Sequence, residues 1–338
     1  MRVASRLHYY RRIFSAYLGS GRSHLNFWHE VPTLNPRAFE RDGGGNASAG
    51  SARDLGEYYM SFREKSDYSG PFDPDGIPLL DYHGAIGQQH NPIAIAQWGL
   101  GNYNKYCETR DATRLQRMQK AADWLCRNLE QNSLGVWIWN HHFDWEYRDT
   151  LKAPWYSGLA QGQGVSLLLR ANAESANAEY SDAAARAFVP LTRSIAEGGV
   201  LFEDKDKNLW IEEYLVDPPT HILNGFMWAL WGVFDYSLAC PDSAARNIFD
   251  RGVQTLVRNL HRYDTAYWSL YEQSGTRFKM LASAFYHRLH IVQLRVMAKL
   301  TGENSLADFA DRWEGYTKRR LNRTRALIEK SAFKLLYY

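Results

Sequence analysis

The chain has 338 residues, of which 45 % are apolar, and a formal net charge of +3. The apolar fraction supports a substantial core, yet no apolar run approaches the roughly 18 residues that a membrane span needs. This charge balance does not by itself indicate a nucleic-acid partner, and three cysteines without metal-type spacing argue against a disulfide framework. Aromatic residues are frequent, with 12 Trp and 21 Tyr, and such rings pack cores and also stack on sugars.

The first 80 residues are the least regular part of the sequence, and we interpret residues 1–80 as an extension that packs on a core domain of residues 81–338. Residues 1–17 fit a basic amphipathic helix without the features of a signal peptide, which favours a cytoplasmic location. Residues 42–56 are rich in Gly, Ala and Ser and predict a flexible loop. Residues 73–76 predict a turn, and no later Glu at EF-hand spacing supports calcium there.

From residue 79 onward the sequence repeats one plan of strand-like residues, an apolar helix, a short break and an amphipathic helix. One polar residue in each apolar helix marks the period, with steps of 64, 63 and 66 residues between Gln97, Gln161, Asn224 and His290. The partner helices are expected near residues 113–130, 182–195, 243–262 and 305–320. Two helices per repeat predict a mainly α fold, an (α/α) toroid of about four helical hairpins with the apolar helices inside.

The polar residues that mark the repeat allow two interpretations. They are either buried, hydrogen-bonded side chains or groups that point into the lumen and hold a hydroxylated ligand. Because they recur at one register, we expect substrate contacts from Gln97, Gln161, Asn224 and His290.

The remaining residues of each repeat predict β-hairpins at one mouth of the toroid. The expected pairs are residues 136–139 with 143–147, 200–203 with 209–214, and 267–272 with 277–281. The second hairpin ends in Glu212, Glu213 and Tyr214, and a helix is predicted to begin near Thr220 as its N-cap. Asn224 then faces the Glu213–Tyr214 pair, an arrangement that can handle protons.

The fourth apolar helix contains a cluster of Tyr286, His287, Arg288 and His290, and we expect substrate contacts from His287 and Arg288 as well as from His290. His287 and His290 share a helix face, but no carboxylate accompanies them, so we predict no metal. The sequence contains no phosphate-binding glycine loop, G-x-S-x-G elbow or H-E-x-x-H motif. A basic run at residues 318–325 indicates a solvated helix face or, alternatively, a surface that steers an acidic polymer.

These features resemble the C-terminal domain of the D-glucuronyl C5-epimerases of heparan sulfate and heparosan. The matching segments, in the family's order, are residues 91–100, 155–163, 212–214, 223–226, 263–265 followed by Tyr271, and 286–291. The resemblance implies a catalytic set of Glu213, Tyr214, Tyr271 and Tyr286, a family asparagine at Asn224, and no cofactor.

Two departures from the family pattern stand out. The β-barrel insertion of the animal enzymes is absent between Tyr106 and Trp155, and its calcium site is expected to be absent with it. An arginine that follows the tyrosine matching Tyr271 is also missing, so its substrate contact is lost or supplied by Arg277 or Arg288.

The implied reaction is inversion at C5 of glucuronate within a heparosan-like polysaccharide, giving iduronate. We expect Glu213 and Tyr286 to flank the sugar ring, with burial raising the pKa of Glu213 and His287 or His290 lowering that of Tyr286. The alternatives are a uronate polysaccharide lyase, which shares the first step, and a non-catalytic protein that binds acidic glycans. The expected partner is an acidic polysaccharide rather than nucleic acid. The sequence is also compatible with a homodimer.

Overall fold

The computed structural model describes residues 30–40, 55–82, 84–148, 150–241 and 243–337. The basic helix expected at residues 1–17 and nearly all of the loop expected at residues 42–56 lie outside these ranges. Within the described ranges, no helix combines the length and the apolar composition that a membrane span requires.

The described residues fold into four helical hairpins and one further long helix. In chain order the hairpins are α1 (Pro92–Thr109) with α2 (Ala112–Arg127), α3 (Gly158–Ser175) with α4 (Ala178–Phe188), α5 (Leu223–Ala239) with α6 (Ser243–Asn259), and α7 (Ala284–Thr301) with α8 (Asn304–Lys318). The last helix, α9, covers Arg320–Tyr337. Short helical turns lie at Pro36–Phe39, Arg63–Ser66, Val189–Thr192, Ile195–Glu197 and Leu260–Tyr263.

The helices α1, α3, α5 and α7 form the inner layer, in which α3 packs between α1 and α5, and α5 also contacts α7. Each outer helix packs on the inner helix that precedes it in the chain. The outer helices carry one apolar face, whereas most residues of the inner helices are buried. This arrangement confirms the predicted mainly α, (α/α) toroid fold.

Polar side chains at the helix starts fix where several helices begin. Asn91 accepts the backbone N–H groups of Ile93 and Ala94 at the start of α1, and Ser157 and Ser283 cap α3 and α7 in the same way. Such caps satisfy N–H groups that have no partner within the helix.

The N-cap predicted at Thr220 is wrong. Helix α5 begins at Leu223 after Ile222, which makes no side-chain cap. Thr220 serves the neighbouring loops instead, because its hydroxyl accepts the phenol of Tyr147 and its carbonyl accepts the N–H of Gln273.

Glycines allow α3 and α5 to approach closely at the centre of the fold. A Cβ on Gly162 would lie 2.6 Å from the Cα of Ala229, and one on Gly232 would lie 2.2 Å from the carbonyl oxygen of Gly162. Real Cβ atoms do not approach other atoms so closely, so larger residues here would push the two helices apart.

A buried ion pair joins the same two helices. Arg170 of α3 contacts Asp235 of α5 at 2.6 Å, and neither side chain is exposed. The phenol of Tyr59 donates to Asp235 at 2.5 Å, and Nε of Arg170 donates to the carbonyl of Gly56. The ion pair therefore also anchors the segment before α1 to the inner helices.

The described part of the first 80 residues contacts both α1 and α7. Asn104 of α1 bonds the backbone of Tyr58, and Gly101 of α1 lies under Phe62. On the other side, the ammonium of Lys299 in α7 lies 5.4 Å from the ring centroid of Phe39. The boundary between residues 1–80 and 81–338 stays a prediction.

Short antiparallel strand pairs precede the inner helices. They are β1 (Leu80–Asp81) with β2 (Gln88–Gln89), β3 (Glu130–Gln131) with β4 (Trp137–Ile138), β5 (Asn140–His141) with β8 (Trp155–Tyr156), β6 (Trp145–Glu146) with β7 (Thr150–Leu151), and β9 (Leu201–Glu203) with β10 (Leu209–Ile211). The last pair confirms the second predicted hairpin. The third predicted hairpin is present only as an isolated contact. Leu270 forms a β-bridge with Leu281, and the N–H of Tyr271 donates to the carbonyl of Met280, but these described residues form no regular strands.

The first predicted hairpin is wrong in its pairing. Residues 136–139 do not pair with 143–147, because the turn at Asn132 folds β4 back onto β3. The Asn132 carboxamide oxygen accepts the N–H groups of Leu134 and Val136, which stabilises that turn. Asn140 and His141, which we expected in a loop, form β5 and pair with β8.

Candidate active site

Two adjoining cavities open beside the starts of α5 and α7. The small cavity, of about 110 Å³, contains Glu213 and Asn224 in its wall. The large cavity, of about 600 Å³, is walled by Tyr271 and by residues of α9. Both cavities share four lining residues, Trp145, Tyr214, Phe285 and Tyr286. The two spaces therefore form one cleft, and all four predicted catalytic residues lie in its walls.

The backbone around Glu213 is fixed by two neighbouring elements. The N–H of Glu212 donates to Val200, and the carbonyl of Glu212 accepts the N–H of Gly158 at the start of α3. A Cβ on Gly158 would lie 2.5 Å from that carbonyl oxygen, so only glycine permits this approach. Residue 213 is thereby held against the first turn of α5.

Glu213 is buried against the start of α5. The Asn224 amide donates to its Oε2 at 3.2 Å, and Tyr214 forms a further hydrogen bond with the carboxyl group. Burial raises the pKa of Glu213 to about 8, the two hydrogen bonds oppose this shift, and the charge of Glu212 adds to it. A carboxyl group with such a pKa can take up or release a proton near neutral pH, as a general acid or base must.

The neighbouring carboxylate, Glu212, has a structural role. Its Oε1 lies 2.5 Å from Nδ1 of His221, and its Oε2 accepts the backbone N–H of the same residue. His221 stacks on Trp210, and its carbonyl accepts the phenol of Tyr263. Glu212 therefore holds the loop before α5, whereas Glu213 lines the cavity.

The tyrosines of the cleft form two aromatic clusters. Tyr214 lies edge-on to Tyr147, with ring centroids 4.7 Å apart, and to Trp155 at 5.6 Å. Tyr271 and Tyr286 lie edge-on at 4.9 Å. The carbonyl of Tyr271 accepts the first N–H of α5, so this tyrosine is tied to the same helix start that holds Glu213. Rings packed in this way present their hydroxyl groups at defined positions.

Among the polar residues that mark the repeat, Asn224 alone lines the small cavity. Gln97 bonds Lys65 and Gln163, and Gln161 bonds the backbone of residues 139 and 187. Both glutamines are fully buried structural groups, so we do not propose them as substrate ligands.

The two histidines of α7 also lie away from the cleft. His287 bonds Ser269 and the carbonyl of Trp313 in α8, and its ring stacks on Trp268. His290 shares the hydroxyl of Ser269. Burial lowers the pKa of His287 to about 4 and that of His290 well below its usual range. Neutral histidines on this face do not supply the charge that we expected beside Tyr286, and we do not propose them as substrate ligands.

The common register did not bring these side chains to one surface, and they also lie at different points along their helices. Gln97 is the sixth residue of α1, Gln161 the fourth of α3, Asn224 the second of α5 and His290 the seventh of α7. Their contacts also differ, since Gln97 bonds Lys65 whereas Asn224 bonds Glu213, so these residues do not share one environment. The equal sequence spacing reflects the length of the repeat and not a shared orientation.

The two arginines considered as replacements for the missing family arginine are solvent-exposed. Neither Arg277 nor Arg288 lines either cavity. The large cavity instead contains three cations from α9, Arg323, Lys330 and Lys334. Of these three, the sequence pattern indicates only Arg323, as part of the basic run at residues 318–325. The spacing of the three residues could have indicated Lys330 and Lys334. Steps of seven residues from 323 to 330 and four from 330 to 334 place all three on one helix face.

The turn at residues 73–76 is present, and Asp73 is engaged within it. Asp73 accepts the N–H groups of Asp75 and Ile77 and contacts His90 at 2.8 Å. In the part of the chain that the structure describes, no three His, Cys, Asp or Glu side chains cluster as metal ligands do.

Sequence comparison places this geometry within a known family. The family profile described as the D-glucuronyl C5-epimerase C-terminus matches residues 131–315, more than half of the chain. The chain belongs to this family. The matched residues include Glu213, Tyr214, Tyr271 and Tyr286, whereas α9 lies beyond them.

Two curated relatives differ in length. The D-glucuronyl C5-epimerase of Caenorhabditis elegans is 32 % identical over 212 residues, which cover 58 % of this chain and 34 % of that protein. An uncharacterized protein of Methanocaldococcus jannaschii is 23 % identical over 265 residues, which cover 72 % of this chain and 84 % of its own length. The chain thus spans about a third of the nematode enzyme and most of the archaeal protein.

Solved structures with a similar arrangement are distant in sequence. An unsaturated glucuronyl hydrolase of Bacillus sp. GL1 is 13 % identical, with a TM-score of 0.47 over 66 % of this chain and 61 % of that chain. A family 76 glycoside hydrolase, a mannosidase of Bacteroides thetaiotaomicron, is 12 % identical, with a TM-score of 0.45 over 70 % and 60 % of the two chains.

Proposed function

We propose that this chain is a polysaccharide epimerase that inverts C5 of D-glucuronate residues in a heparosan-like polymer to give L-iduronate. The observation that carries the proposal is the shared cavity of Glu213 and Tyr286, in which a buried carboxyl group and a phenol from different repeats line one space. Membership of the D-glucuronyl C5-epimerase family supports the same reaction class.

The reaction needs two proton-transfer groups on opposite faces of one sugar ring. The hydrogen on C5 is α to the uronate carboxylate, so its removal as a proton leaves the electron pair delocalised into that carboxylate. Return of a proton to the same face restores glucuronate, and delivery to the other face gives iduronate. No bond to a neighbouring sugar breaks, and no oxidant or reductant is consumed. We assign Glu213 and Tyr286 to the two faces.

The groups around Glu213 suit it to this task. Because its pKa lies near 8, the ionised form that accepts a proton and the neutral form that donates one are both accessible near neutral pH. Asn224 orients the carboxyl group at 3.2 Å, and Tyr214 forms the second hydrogen bond. Tyr271, in edge contact with Tyr286, restricts the position of that phenol. A positioned acid or base typically contributes about 10²–10⁴ in rate.

The test is to incubate the chain with heparosan in deuterated water and to measure both deuterium at C5 and the iduronate content by NMR. Active chain should incorporate deuterium and produce iduronate without forming the unsaturated uronate that a lyase releases. Glu213→Gln and Tyr286→Phe should each reduce exchange by at least about 10²-fold. Unsaturated product would reassign the chain to the lyases, and normal exchange in either variant would reject the assigned pair.

A further inference from the structure

The large cavity has a basic wall that the matched family region does not provide. Helix α9 begins after the last matched residue, and it places Arg323, Lys330 and Lys334 along one face that lines this cavity. Among the described residues that line this cavity, Glu146 is the only acidic one. The described wall of the cavity therefore carries a net positive charge and several aromatic rings. This combination suits an anionic sugar.

Lys330 is the central residue of this wall. Its side chain is 4 % exposed, although lysine is almost never so buried without a partner. Its ammonium lies 5.4 Å from the ring centroid of Tyr271, a cation–π contact. Among the described residues, no side chain forms an ion pair or hydrogen bond with this ammonium.

Glu272 attracts Lys330 electrostatically, but this attraction only partly offsets the effect of burial on the lysine. Glu272 accepts a hydrogen bond from the phenol of Tyr147, and burial raises the pKa of this glutamate. Glu272 lies beyond ion-pair distance of Lys330, and burial lowers the pKa of the lysine to about 7. A buried ammonium without a close counter-ion is costly, and an incoming anion would remove that cost.

We propose that Lys330, supported by Arg323 and Lys334, forms a subsite that binds the carboxylate of a hexuronate residue in the large cavity, next to Tyr271. This inference rests on the proposed function for the identity of its ligand. The subsite supplies a cation in the same cleft as Glu213 and Tyr286, which the exposed Arg277 and Arg288 do not. Because α9 lies outside residues 131–315, this cation comes from a part of the chain that the family profile does not cover.

The experiment measures binding separately from chemistry. In the Glu213→Gln background, where proton transfer is removed, calorimetry compares a heparosan hexasaccharide with the same oligosaccharide whose carboxylates have been reduced to alcohols. A charge-assisted contact should make the native hexasaccharide bind roughly 10–100-fold more tightly than the reduced one. Adding Lys330→Met should abolish this preference and leave binding of the reduced oligosaccharide unchanged, whereas Lys330→Arg should keep part of it.

Two controls separate this contact from general effects. Lys318→Met removes an exposed lysine at the end of α8 and should leave the preference intact. Melting temperatures should show that Lys330→Met folds, since methionine fits a buried site of similar length. A preference that survives Lys330→Met, or failure of both oligosaccharides to bind the parent, would overturn the subsite. C5 exchange by the unsubstituted chain is measured in parallel: a subsite without exchange would refute the proposed function alone.

Discussion

Gly225 offers a sharp test of how Glu213 is positioned, because this glycine lies directly beneath the carboxyl group. A Cβ at residue 225 would lie 2.2 Å from Oε2 of Glu213, 2.6 Å from its Cβ and 2.9 Å from its Cδ. Gly225→Ala therefore cannot be accommodated unless Glu213 or the first turn of α5 moves. The substitution displaces the proposed proton-transfer group without changing its chemistry.

The magnitude follows from two opposing terms. Replacing glycine by alanine in a helix stabilises it by about 1 kcal/mol when space is available. Overpacking costs about 1–3 kcal/mol, so the net effect on the free energy of unfolding should be a loss of up to about 2 kcal/mol. Displacement of a reacting group by about 1 Å can cost about 10² in rate, and we expect a loss of C5 exchange of at least that size.

The assay compares exchange and thermal unfolding with those of a matched variant. Gly315 lies in α8 with nothing within 4 Å of its ideal Cβ. Gly315→Ala should therefore raise stability by about 1 kcal/mol and leave exchange unchanged. If Gly225→Ala kept full exchange, the close packing of Glu213 on α5 would not matter for activity and this reasoning would be refuted.

Three further predictions concern the buried charges. Because burial raises the pKa of Glu213 from 4.5 to about 8, the stability linked to its bound proton is complete below pH 4.5 and lost as pH rises through 8. The melting temperature of Glu213→Gln, relative to that of the unsubstituted chain, should therefore be higher at pH 9 than at pH 4. An equal difference at both pH values would contradict this. Glu212→Ala should lower the free energy of unfolding by about 1–3 kcal/mol in urea titrations, because His221 loses its buried acceptor, and an unchanged midpoint would count against that role. Arg170→Met should cost about 3–5 kcal/mol by leaving the buried Asp235 carboxylate without a counter-ion, and adding Asp235→Leu should recover most of the loss.

The helical framework could be predicted because its signals are long and repeated. The hairpins of α1 to α8 lie close to the expected positions, except that α4 ends seven residues before the predicted end at residue 195. Each inner helix is an apolar run and each outer helix carries one apolar face. Element ends were less accurate. At α5, Thr220 resembled a cap in composition, but contacts with Tyr147 and Gln273 from distant parts of the chain occupy it.

Strand pairing was predictable only where the turn was short and polar. Residues 200–203 and 209–214 flank one such turn, and β9 and β10 pair as expected. Between residues 130 and 156 several short strands compete as partners, and local propensity does not select among them. The turn at Asn132 and the long-range pairing of β5 with β8 decide the arrangement.

The family resemblance predicts the residues of the candidate site, whereas the repeat alone does not separate cavity residues from buried structural ones. Asn224 and Gln161 mark equivalent points of two repeats, yet one lines the small cavity and the other bonds the backbone. Lys330 was missed because α9 follows the last repeat and carries no motif. Only the folded chain shows that its basic face lines the large cavity.

The central claim is that Glu213 and Tyr286 lie on opposite sides of one bound sugar ring. A crystal structure of the Glu213→Gln variant with a heparosan oligosaccharide tests it most directly. We predict a glucuronate whose C5 lies between the residue 213 amide and the Tyr286 hydroxyl, each within about 3–3.5 Å of the carbon's opposite faces. A hexuronate with both groups on one face, or bound outside the cleft that they line, would contradict the account.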